Sequence, residues 1–334
     1  MSGKSTSDGV REPVDALKRP SILARMARRP ISVLGLIGAV AVLLLTVVGP
    51  YVAPYDPAMV STARLRPPSP EHWMGTESLG RDVFSRFLYG TRVSMLVSLG
   101  AVALGLVIGT LLGMLAGLKA GTFWDTVIMR SMDVILAFPL LVIVPVLIGV
   151  LGTQELYVGP FRISNIVLVG LAIGAVKIPL FARVARASVL AETQEEYIVA
   201  ARSFGAGTRT LLFGNLLPNI QAPLIVQAAF GLATAITAEA AVSFLGLGVQ
   251  PPDASWGNML ADARRFLIAG AWWLVLFPSV AVAVAVLAFN LLGDALRDAL
   301  DPHAWSAGGA PEDAHAHAGS LADTAIPDLE GSPV

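Results

Sequence analysis

The chain has 334 residues, 55% of them hydrophobic and only 14% charged, with a net charge of -1 and no cysteine. Soluble domains carry about 25% charged residues, so most of this chain has no water-facing surface to cover. The near-neutral balance excludes a nucleic-acid binder, which needs a clustered basic face. The missing cysteines exclude disulfides, thiolate metal sites and thiol nucleophiles.

Residues 1–30 form a polar tail with Arg11, Lys18, Arg19, Arg25, Arg28 and Arg29 ahead of the first apolar run. They are expected to be partly disordered. A hydrocarbon core needs about 20 apolar residues of helix to cross it, and six segments qualify: about 31–50, 92–118, 134–152, 163–182, 221–246 and 272–293. The first exceeds a secretory h-region, and the following Pro50 to Pro54 has no small-x-small cleavage pattern, so residues 31–54 are read as a retained span. The fold expected is all-α, a polytopic membrane protein with six transmembrane helices.

Residues 55–91 form a loop on the far side. Within it, Leu79–Thr91 predicts a short amphipathic helix lying on the outer surface. Val83, Phe84, Phe87 and Leu88 share one side, with Arg81, Asp82 and Arg86 elsewhere. Two readings stand for it: a docking site for an external partner through those three charged residues, or a plug over a pore mouth. The permease core then runs over 92–301. In its first helix Gly105, Gly109, Gly113 and Gly117 recur every fourth residue. Such a row lets another helix backbone approach closely, as small residues do inside bilayers. Pro139, Pro145, Pro179 and Pro278 are expected to kink the later spans.

The informative stretch is the loop 191–219. Thr193 and Glu196 form a capping-box pattern. Tyr197, Ala200, Ala201 and Phe204 fall at helical spacing on one face, and Gly205 stands where a C-terminal cap belongs. The prediction is a helix of about three turns outside the membrane, with alanines that suit seating in a partner's groove. Arg202 and Ala206 accompany it, and Leu217-Pro218 is expected to return the chain to the bilayer. An interfacial helix on lipid is disfavoured by its few basic residues.

Lys and Arg are more numerous on the side of the N-terminal tail and of this loop, which places both termini in the cytoplasm. Intramembrane charge marks Glu239, with Ser243 one turn on, and Lys177. Such groups line a substrate path or pair between helices, and for Glu239 the interhelix contact is preferred. Residues 302–334 are small and acidic, and are expected to be disordered. His315 and His317 within them are not read as a metal site.

Together these motifs resemble a known family. Glu196-Tyr197-x-x-Ala200-Ala201-Arg202-x-x-Gly205-Ala206 followed by Leu216-Leu217-Pro218-Asn219 is similar to the "EAA" loop of binding-protein-dependent ABC importer permeases, with Val199 at the position of the name's Glu. His72 to Arg86, Ser243 to Leu260 and Asn290 to Pro302 resemble segments of the C-type permease of dipeptide, oligopeptide and nickel importers. The resemblance covers about 30–302. It implies a type I importer fold in the bacterial inner membrane, with the loop helix as a coupling helix carrying Glu196, Tyr197, Ala200, Ala201, Arg202, Phe204, Gly205, Ala206, Leu217 and Pro218. It also implies a second homologous permease chain, two ATPase subunits holding ATP and Mg, and an external substrate-binding protein.

The chain itself is expected to bind no cofactor and to hydrolyse no ATP, because Gly3-Lys4-Ser5 supplies only the end of a P-loop. The rival reading is an ion-coupled secondary transporter. It is disfavoured because no inverted repeat and few intramembrane charges are seen.

Overall fold

A computed structural model describes Met26 and residues 29–152, 157–158, 161–162 and 164–300. The 302–334 tail and most of the 1–30 tail lie outside the described residues. Apart from a two-residue antiparallel hairpin (Tyr157–Val158 with Phe161–Arg162), the described chain is helical.

Five helices are long and apolar enough to cross a bilayer: α1 (Pro30–Val52), α2 (Val83–Leu118), α5 (Asn165–Glu192), α7 (Thr208–Phe244) and α9 (Trp273–Leu300). The predicted third span is a broken pair instead. α3 (Phe123–Ala137) and α4 (Leu140–Gly152) meet at an angle of 98° around Phe138-Pro139. Proline lacks an N–H and drives the preceding residue out of helical geometry, and Phe138 is extended.

This pair must cross. Asp125 near the start of α3 accepts two hydrogen bonds from Arg186 near the end of α5, at 2.7 and 2.8 Å. The start of α3 therefore lies on the side where α5 ends, whereas α4 leads to where α5 begins. Arg29 before α1 also bonds Asp298 in the last turns of α9. Two ends on one side require an even number of crossings, so the described helices make six spans with the bent pair counted as one.

The glycine row does what its spacing predicts. A Cβ added at Gly105 would lie 2.7 Å from the Lys177 Cβ, at Gly109 2.5 Å from the Ile178 carbonyl oxygen, and at Gly113 2.3 Å from that of Ala182. α2 and α5 thus pack backbone on backbone. Gly35 and Gly38 admit Leu291 and Ala288 of α9 in the same manner.

On the side away from the 191–219 loop, residues 53–82 and 245–272 fold into a cap, called the outer cap for its distance from that loop. Val83, Met259, Trp273 and Leu274 form its apolar centre, with α8 (Trp256–Ala263) started by a Ser255–Asn258 capping box. The expected surface helix over 79–91 is absent. Val83 onward is the first part of α2, which runs 36 residues without a break.

Candidate functional site

The 191–219 loop holds α6 (Glu196–Ser203), two turns and not three. The predicted capping box does not form. α5 continues to Glu192, and the Thr193 hydroxyl donates to Leu190 O at 3.0 Å, closing α5 instead of opening α6. Glu195 takes the N-cap position without a side-chain hydrogen bond, and Glu196 meets the positive end of the dipole.

The C-terminus is as read. Gly205 has φ +77°, Gly205 N–H donates to Arg202 O at 2.9 Å and Ala206 N–H to Ala201 O at 3.0 Å. That pair of bonds is the Schellman closure.

The sequence misplaced the helix's faces. Ile198, absent from the expected stripe, is fully buried and pins α6 to the body. Burial of such a side chain contributes about 1.5–3 kcal/mol. Ala201 is half-buried, whereas Glu196, Ala200 and Arg202 are exposed. Phe204 is 91% exposed and Val199 54%.

Tyr197 fixes the helix laterally. Its hydroxyl donates to Glu192 at the end of α5 and accepts from Asn219 Nδ2 of α7 at 2.7 Å. Desolvation first and the Glu192 carboxylate second push the phenol up to about 12, so it remains a donor throughout the physiological range. Glu192 and Ile198 were not singled out in the sequence, and Asn219 only as the end of a motif, because their roles arise only when α5 and α7 converge.

Beyond α6 the chain is already helical at Thr208. A π-helical segment, Leu211–Leu216, runs directly into the rest of α7. Leu217 (half-buried) and Pro218 (exposed) therefore sit inside one continuous helix that runs on into a candidate span.

The other candidates are buried. Glu239 and Ser243 are both 0% exposed, and Ser243 donates to Glu239 Oε1 at 2.8 Å. The Ser243 hydroxyl also accepts from Val249 N–H at 3.1 Å, and Trp256 N–H donates to Ser94 Oγ at 3.2 Å close by. The Ser243 bonds join α7 to the loop that follows it, and Trp256 ties the start of α8 to α2; the Glu239 carboxyl faces Ser94 of α2 and Ser255 before α8, as an interhelix contact requires.

Arg81, Asp82 and Arg86 are 8%, 3% and 2% exposed. Arg81 forms a bidentate pair with Glu77 at 2.5 and 3.0 Å. Asp82 caps α2 through Ser85 N–H at 2.7 Å and meets His72 at 2.9 Å, while Arg86 donates to Pro57 O at 3.3 Å. They brace the outer cap from within and offer no surface for direct docking, which corrects that reading.

The profile of the binding-protein-dependent transport system inner membrane component matches residues 109–306, more than half of the chain. The chain belongs to that family. Residues 21–68 of the permease also match the N-terminal TM domain of oligopeptide transport permease C. The permease is 44% identical over 278 residues to the dipeptide transport system permease protein DppC of Escherichia coli K12, covering 81% of this chain and 88% of that one. It is 42% identical to the di/tripeptide transport system permease protein DppC of Pseudomonas aeruginosa, over 80% of this chain and 86% of that one. Against the dipeptide permease DppC of Alkalihalophilus pseudofirmus the identity is 39%, over 83% and 88%.

It is therefore a multi-pass permease subunit of an ABC importer. Membership implies a membrane, and ATPase and substrate-binding partners. The ion-coupled alternative finds no support among these relatives.

Proposed function

We propose that the permease moves short peptides inward by alternating access, with α6 as the coupling helix on which separate ATPase subunits act. One observation carries the reading: α6 is clamped to two spans through Ile198 and Tyr197, yet presents Phe204 almost wholly to solvent. A large apolar side chain on a capped, immobile helix is an anchor for a pocket on another chain. Because α5 and α7 flank α6 directly, displacement of α6 loads both spans.

In this reading ATP and Mg are bound by two partner ATPases and not by this chain. A second homologous permease completes the path, and a binding protein delivers substrate to the outer cap. The α6 side is cytoplasmic, as are both termini. Lys119, Arg130, Arg183 and Arg209 on the α6 side support that orientation. Peptides are the substrate class because the relatives named above are dipeptide and di/tripeptide permeases.

The test is Phe204→Ala in the assembled importer. ATP-dependent peptide uptake is expected to fall at least about tenfold, the scale of one buried anchor at about 1.4 kcal/mol or more, with normal amounts of permease in the membrane. Undiminished uptake and unchanged ATPase co-purification would refute the assignment of α6.

A further inference from the structure

Lys177 belongs to no element of the machinery described so far. It lies near the middle of α5 and is 6% exposed. Gly105 of α2 makes room for its stem, since a Cβ there would sit 2.7 Å from the Lys177 Cβ. The side chain crosses to α7, where Nζ donates to Thr234 Oγ1 at 2.7 Å. The Thr234 hydroxyl hydrogen is directed at its own helix, with Phe230 O at 3.1 Å and Gly231 O at 3.0 Å, so toward Lys177 it acts only as an acceptor. An ammonium has three donors. Among the described residues, no carboxylate lies within ion-pair distance of Lys177.

Thr234 stands on an exposed face of α7 with Thr237 beside it and Gln227, half-buried, two turns away. This is a polar stripe at mid-span of α7. Threonine hydroxyls satisfied by their own helix are tolerated against lipid. A cation reaching that face is not, because ionisable groups at bilayer depth face water, a path or a countercharge. No described residue of this chain supplies the anion that would complete the site.

On the reading that the substrate is a short peptide, we infer that Lys177, positioned by Thr234, forms a carboxylate-binding station in the translocation path and receives the peptide's C-terminal carboxylate. One fixed ammonium, with two donors left after its bond to Thr234, recognises the group all such peptides share and ignores their side chains. A single charge-assisted bond also holds the cargo weakly enough to release it. The rival source of the carboxylate is an acidic side chain of the second permease, which would make Lys177 a structural ion pair.

The experiment uses the complete importer in proteoliposomes with saturating loaded binding protein, and compares alanyl-alanine with its C-terminal amide. Lys177→Met is expected to lower maximal uptake of alanyl-alanine about tenfold and to leave the slower uptake of the amide unchanged, with Lys177→Arg close to wild type on both. Equal impairment of both peptides by Lys177→Met, or failure of that variant to assemble with its partner chains, would assign Lys177 to the interface and overturn the station. Unchanged uptake of both would overturn it as well. A wild-type importer that carries neither peptide would overturn the peptide reading itself, a result separable from the others because it precedes any substitution.

Discussion

Gly113→Ala and Gly100→Ala put the same methyl group on the same helix in opposite circumstances. At Gly113 the added Cβ would lie 2.3 Å from the Ala182 carbonyl oxygen and 2.8 Å from the Ala185 Cβ. Backbone cannot rotate away as a side chain can, so α2 and α5 must part locally by about 1 Å to restore van der Waals contact. Overpacking of this kind costs about 1–3 kcal/mol. Alanine recovers about 1 kcal/mol of helix propensity at either site, and at Gly100 nothing stands within 4 Å of the new atom.

The propensity gain is common to both variants, so the expected gap between them equals the overpacking cost. It corresponds to a factor of about 5 to 150 in the folded-to-unfolded ratio. Equilibrium unfolding of the purified permease in mixed micelles, titrated with SDS, would measure it. Gly100→Ala should match or exceed wild type, and Gly113→Ala should fall below it. Equal stability of the two variants would refute a backbone-close α2–α5 interface.

Two further outcomes are expected. Arg81→Met leaves Glu77, 6% exposed, as an uncompensated buried charge and should destabilise the outer cap by about 3–5 kcal/mol, whereas Glu77→Leu with Arg81→Met should restore most of that; thermal denaturation of both variants checks it. Gly205→Ala meets no atom within 4 Å, so its cost is confined to left-handed backbone strain of about 1–2 kcal/mol, and limited proteolysis of the 191–219 loop should accelerate while Gly205→Asn recovers part of the protection.

The spans were legible because length and apolarity alone decide whether a segment can cross a bilayer. The glycine row was legible because its period matches a helix face. The C-terminus of α6 could be read because a left-handed position all but requires glycine. Its start could not, since Thr193 is equally suited to end one helix or begin another, and the choice depends on how far α5 runs. Pro139 announced a kink and could not give its angle, which tertiary packing sets.

The charges at 81–86 suggested a wet surface. Their burial depends on a bend that brings the Glu77 carboxylate to Arg81 and on the Pro57 carbonyl reaching Arg86 from a distant stretch. The surroundings of Glu239 likewise bring Ser94 from a distant stretch of the chain. Ile198 was missed because an apolar residue beside an apolar stripe gives no sign of which one faces inward.

The 98° corner at Phe138-Pro139 has a further consequence. With the pair crossing as one span, the final carbonyls of α3 lose their helical partners within the bilayer, where lipid offers no donor to replace them. Non-helical backbone survives at that depth only against protein or water. Purified alone into detergent or lipid, this subunit is therefore an unfinished object along that flank, and its lifetime outside the assembly should be set by how well that corner is sheltered.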